Sequence, residues 1–157
     1  MKKLFFLITL FSTMVIHNTF AQDNSKTTPS QLLSLYYEIK DALVSSNANA
    51  ASVKAEEFIK AISNVDTKVV ADANRDPLLK DASHISENKD LKYQRQFFAP
   101  FSDNMFALAK VVKLSADPVY QQYCPMKKAS WLSSQQAIKN PYYGNAMLTC
   151  GKVAATL

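Results

Sequence analysis

The chain has 157 residues, 48% of them hydrophobic, 20% charged and 11% aromatic, with only two glycines and six prolines. That composition suits one globular domain and excludes collagen-like and disordered chains. The net charge of +5 comes from lysines and arginines interspersed with acids, which leaves no basic stripe for nucleic acid, and two cysteines are too few for a disulfide-dense scaffold.

Met1-Lys2-Lys3, the apolar run from Leu4 to Leu10 and Thr19-Phe20-Ala21 have the basic, apolar and small-residue regions of a secretory signal, with cleavage expected after Ala21. Ser12, Thr13, His17 and Asn18 interrupt the apolar stretch, so it is short for a membrane span, and no membrane insertion is expected once it is removed. The expected organisation is a signal at 1–21, a polar flexible leader at 22–28 and a single helical domain at 29–157, in a periplasmic or secreted protein. His17 leaves with the signal, and His84 is then the only imidazole.

Thr28-Pro29-Ser30-Gln31 is a capping-box start with proline at the first helical position. Leu32, Leu35, Tyr36, Ile39 and Leu43 follow at helical spacing and predict a helix from about Pro29 to Ser45. After the polar break Ser46-Asn47-Ala48-Asn49, Val53, Phe58, Ile59 and Ile62 predict a second from about Ala50 to Val65. Asp76-Pro77 starts a third, with Leu78, Ala82 and Ile85 on one face. Asp90 caps a fourth, in which Phe97, Phe98, Phe101, Met105, Leu108 and Val112 recur every three or four residues, with a kink expected at Pro100. Four amphipathic helices with short connections predict a mainly α fold, an antiparallel up-and-down four-helix bundle. The tail, about 117–157, is broken by Pro125, Asn140-Pro141 and Gly144 and reads as an irregular region of loops and short strands.

Chemistry concentrates in that tail. Cys124-Pro125-Met126 sets a thiol and a thioether two residues apart, and Met147-Leu148-Thr149-Cys150 sets the same pair three apart. Soft sulfur donors select Cu(I) and similar ions over Mg, Ca or Mn. In an oxidising compartment Cys124 and Cys150 can instead form a disulfide, closing a loop worth about 3 kcal/mol in the chain-entropy model. His84 falls about 150° from the centre of the third helix's apolar stripe, so it is either solvated or turned toward the tail as a nitrogen donor. Met105 is a more distant thioether. Arg95 is expected to pair with Glu87 or Asp90, Trp131 to cover the bundle, and Tyr142-Tyr143-Gly144 to form a packed turn. There is no Gly-rich phosphate loop, HExxH or GxSxG, and an enzyme is not expected.

Ala82-Ser83-His84-Ile85-Ser86-Glu87, Asp90-Leu91, Gln94-Arg95 with Phe98, Ser102 and Met105, then Val119-Tyr120, Cys124-Pro125-Met126, Trp131-Leu132-Ser133, Asn140-Pro141-Tyr142-Tyr143-Gly144 and Met147-Leu148-Thr149-Cys150-Gly151 together resemble a known family. It is an exported domain of unknown function, number 3347, found alone and fused to periplasmic adaptor subunits of copper and silver efflux pumps. The likeness runs from about Leu32 to Leu157. Cys124-Pro125-Met126 also resembles the Cys-Pro-Met core of short heavy-metal-binding segments in such adaptors, although Lys127 stands where those usually continue with His, and Pro100 departs from the family's uninterrupted helix. The resemblance implies a copper or silver ion as ligand, held by His84, Cys124, Met126, Met147 and Cys150, and a heavy-metal efflux adaptor as partner. The alternative is a disulfide-stapled helical interaction module that binds no metal.

Overall fold

The computed structural model describes residues 26–157. The expected signal at 1–21 and the start of the leader lie outside the described residues. Of the expected leader, Lys26 is described and its Nζ lies 2.7 Å from Asp66 Oδ2. Thr28 caps the first helix, α1 (Pro29–Val44): its side chain accepts from the Gln31 amide and Gln31 reaches back to the Thr28 amide at 2.8 Å. Asn47 caps α2 (Ala48–Ser63) and Asp90 caps α4 (Leu91–Val111), each by accepting an amide three residues on. The helix between them, α3 (Asp72–Glu87), begins four residues before the expected Asp76-Pro77 start, so Pro77 lies inside it. Its N-cap is Ala71, which makes no side-chain cap, and its first turn is polar. Arg75 organises the approach instead, donating to the Val65 and Val70 carbonyls at 2.7 and 3.3 Å.

Consecutive helices pack as an up-and-down bundle, α1 on α2, α2 on α3 and α3 on α4. Aromatic rings close α1 and α2 against α4: Tyr36 lies 5.5 Å from both Phe98 and Phe101, and Phe101 lies edge-on to Phe58 at 4.9 Å. The α4 helix runs through Pro100. Pro100 and Gln96 are both exposed, so the Gln96 carbonyl that loses its helical donor faces water, which is where a helix tolerates proline best.

The tail folds into a three-stranded antiparallel sheet in the order β2-β1-β3, from β1 (Tyr120–Cys124), β2 (Ala129–Ser133) and β3 (Lys152–Thr156). The sheet meets the bundle through β2 against α4. Trp131 and Leu132 are buried there, and the Leu132 amide donates at 2.9 Å to Tyr36 Oη, which also shares a 2.7 Å hydrogen bond with Ser102. One phenol from α1 thus joins α4 and the sheet.

Asp81 on α3 is buried and accepts from Asn104 of α4 at 2.8 Å. Burial raises its carboxyl above the usual value, outweighing the Asn104 hydrogen bond and the charges of Lys80 and His84. A carboxyl with a raised folded-state pKa contributes stability that is complete below its unfolded pKa, about 4, and lost as pH rises through the folded value. Asp81→Asn, whose amide oxygen can still accept from Asn104, is therefore expected to be more stable than the parent at pH 7, with the advantage gone at pH 3.5. Urea midpoints at the two pH values check this, and an Asn variant less stable at pH 7 would contradict it.

A candidate thiol-pair site in the tail

The strand register explains why the two cysteines meet. Tyr123 of β1 pairs with Lys152 of β3, so Cys124 at the end of one strand and Cys150 just before the other lie side by side at the same end of the sheet. Their Sγ atoms are 3.2 Å apart, and both are free thiols. Cys124 is fully buried and Cys150 partly so. Between Cys150 and β3 stands Gly151, where an added Cβ would lie 2.9 Å from the Trp131 ring and 3.1 Å from the Tyr123 carbonyl. The chain passes close enough to β1 for the thiols to touch because no side chain stands there.

The β1–β2 connection is Pro125-Met126-Lys127-Lys128, closed by a 2.8 Å hydrogen bond from the Lys128 amide to the Cys124 carbonyl, with Lys128 in the left-handed region at φ 55°. This turn aims the Met126 and Lys127 amides at the Cys124 sulfur. Burial pushes the Cys124 thiol up, but the Lys127 amide, the Cys150 thiol, the Asn140 side chain and the Met126 amide together outweigh it, and Cys124 sits below the usual thiol value. Cys150 moves up, chiefly through its hydrogen bond to Cys124, then by burial and the Cys124 charge. The hydrogen bond between the two thiols thus favours the charged form at Cys124 and disfavours it at Cys150.

Asn140 holds the far side. Its Nδ2 donates to the Cys150 carbonyl at 2.7 Å, its Oδ1 accepts from the Tyr142 amide at 2.8 Å, and its own amide donates to the Leu148 carbonyl. Spacing offers no pointer to this residue, because apart from the Cys124 sulfur its partners are backbone atoms that carry no residue signature. The same is true of Arg95. Its expected partners were Glu87 or Asp90, but its guanidinium donates to the carbonyls of Pro141 at 2.9 Å and Leu43 at 2.8 Å and to Ser46 Oγ at 3.0 Å. It thereby ties the α1–α2 corner to the tail, and burial lowers its pKa.

Of the five expected ligands, the structure brings Cys124 and Cys150 together. Met126 stands exposed on the adjoining turn and Met147, also exposed, three residues before Cys150. His84 does not join them. Its ring stacks on Phe97 at 4.0 Å and its Nδ1 lies 3.1 Å from Tyr93 Oη. Tyr93 and Phe97 each lie about 160° round α4 from Arg95, which donates to the Pro141 carbonyl of the tail, and His84 forms no cluster with the two cysteines. Met105 is fully buried in the bundle core. Trp131 is buried against Tyr142, and Tyr142-Tyr143-Gly144 forms the packed turn expected of it. Among the described residues, no three His, Cys, Asp or Glu side chains cluster as a metal site, and no helix is long and apolar enough to cross a membrane.

No curated protein and no solved structure matches the chain. A family model described as "Protein of unknown function (DUF3347)" matches residues 32–117, which takes in the four helices apart from the first three residues of α1 and ends where the tail begins. Cys124, Met126, Met147 and Cys150 therefore lie outside the matched span, and His84 lies inside it. By that match over more than half its length, the chain belongs to the DUF3347 family.

Proposed function

We propose that the protein binds a soft monovalent ion, Cu(I) or Ag(I), between Cys124 and Cys150, and sequesters it or passes it to a heavy-metal efflux adaptor in the periplasm. The observation that carries this reading is the approach of two free sulfurs to 3.2 Å in a tail that contains no Asp or Glu from residue 118 to residue 157. Hard cations need oxygen ligands that this region lacks, whereas thiolates are the preferred donors of soft ions. Binding requires both thiols to lose their protons, and the amides of Met126 and Lys127 lower that cost at Cys124. Met126 and Met147 offer exposed thioethers beside the pair, weak enough as donors to receive or release an ion by exchange. His84 is left out of the ligand set, and no catalytic step is assigned to any residue.

The same approach of the sulfurs favours one other reading. A shift of about an ångström would bring them to disulfide distance, and the tail would then be a stapled interaction module. Reduced protein titrated with Cu(I) against a competing chelator is expected to take one ion per chain. Cys124→Ser and Cys150→Ser should each weaken uptake at least about a hundredfold, equal to about 2.7 kcal/mol, while His84→Gln leaves it unchanged. Two titratable thiols on freshly isolated protein would accompany the ion reading. No titratable thiols, together with no Cu(I) uptake after reduction, would replace it with the stapled module.

A further inference from the structure

An open cleft of about 460 Å³ lies between the first turns of α4 and the tail, lined by Asp90, Lys92, Arg95, Tyr142, Tyr143 and Lys127, of which Lys127 is three residues along the chain from Cys124. Its cations have no acidic partner among the described residues. Arg95 donates only to uncharged oxygens, and neither Lys92 nor Lys127 forms an ion pair. Asp90, the one carboxylate at the rim, accepts from the Tyr93 amide on one oxygen at 2.7 Å and keeps its charge, so Lys92, Arg95 and Lys127 outnumber it. The surrounding tail adds to the imbalance, since residues 118–157 hold Lys127, Lys128, Lys139 and Lys152 and no acid. A concave patch with an excess of one sign attracts and orients a partner of the other sign.

We infer that this cleft seats the carboxylates of an acidic protein segment, belonging to the partner that exchanges an ion with the thiol pair. The inference rests on the proposed function for the purpose of docking, but the docking itself is separable from metal binding. Lys127 connects the two: its side chain lines the cleft while its amide points at the Cys124 sulfur. An acidic segment held there would bring its neighbouring ligands to the pair. A free phosphate is the poorer fit. Arg95 Nε and one Nη are already spent on the Pro141 and Leu43 carbonyls, so the bidentate fork that selects phosphate is not on offer and Arg95 contributes charge alone. The rings of Tyr142 and Tyr143 supply an apolar wall suited to the stems of Glu side chains.

The test uses a fluorescein-labelled hexaglutamate peptide and the metal-free reduced protein, read by anisotropy. It is expected to bind at least tenfold more tightly than a labelled hexaserine peptide, and to weaken as salt rises from 20 to 200 mM. The double variant Lys92→Glu with Lys127→Gln should weaken it at least tenfold. Glu at the second position of α4 suits the helix dipole and Lys127 is exposed, so the fold is retained. Lys110→Gln, about 27 Å along α4 from Lys92, should leave binding within twofold. Equal binding of the two peptides, an equal loss in the Lys110 variant, or complete displacement by an equimolar amount of inorganic phosphate would each overturn the inference. Chelator competition on the same double variant keeps the two claims apart, because the Lys127 amide remains and Cu(I) uptake should persist even where peptide binding is lost.

Discussion

Gly144→Ala is expected to destabilise the protein by about 2–4 kcal/mol, although the substitution adds a single methyl group. Gly144 has φ 54°, the left-handed region in which a Cβ clashes with its own backbone, and the added atom would lie 2.8 Å from the Val44 carbonyl and 2.9 Å from both Arg95 Nη2 and Ser46 Oγ. The Val44 carbonyl belongs to the end of α1 and cannot swing aside, and the other two atoms are the bond by which Arg95 holds the α1–α2 corner. Relief therefore has to come from the tail moving off the bundle. Trp131 is the chain's single tryptophan and lies in that tail, so its fluorescence reports the sheet while far-ultraviolet dichroism reports the helices. In urea the fluorescence transition should move to lower denaturant ahead of the helical one. A variant within 0.5 kcal/mol of the parent would show that the corner yields more easily than its contacts indicate.

Phe101→Ala is expected to cost about 3–5 kcal/mol and to act on the other half of the molecule. The ring is fully buried and touches three aromatic neighbours on three helices: Phe58 of α2 at 4.9 Å, Tyr36 of α1 at 5.5 Å and Phe98 of α4 at 6.2 Å. Removing it leaves a cavity where α1, α2 and α4 converge, and none of these rings can fill it without leaving its own contacts. Here both probes should shift together, because the sheet is seated on the bundle through Tyr36 and β2. Thermal melts followed by dichroism and fluorescence check the coincidence, and a loss below 1 kcal/mol would mean that the core repacks.

The four helices are legible because each carries an apolar stripe at helical spacing, and two of them also carry a cap residue that the structure uses as such, Thr28 and Asp90, whereas Asn47, read as part of a polar break, caps α2 at a start two residues before the expected Ala50. Where the cap signal misled, at Asp76-Pro77, the true start at Asp72 has an alanine cap and a polar first turn, so neither periodicity nor capping marks it. The short strands of the tail were legible from composition, but the pairing of β1 with β3 was not, since their partners are separated by the whole of β2 and a loop whose path no local rule dictates. For the candidate site, residue types pointed to Cys124 and Cys150, and spacing alone could not show that an antiparallel ladder would set them side by side. Helical angle placed His84 off the apolar stripe, and the structure has it half-buried on Phe97 and Tyr93. What that angle could not give was which neighbour the exposed face would meet. Arg95 and Asn140 were opaque for a different reason: main-chain carbonyls are everywhere, so a donor that seeks them leaves no complementary residue to find.

The hydrogen bond from the Leu132 amide to Tyr36 joins positions 96 residues apart. Closing so wide a span is slow compared with the winding of adjacent helices, and the sheet has its anchor only after α1 and α4 have come together around Phe101. Docking of the sheet on the bundle is therefore expected to follow the meeting of α1 with α4. Cys124 and Cys150 are only 26 residues apart and need no such closure, so the thiols can become neighbours before the sheet is seated on the bundle.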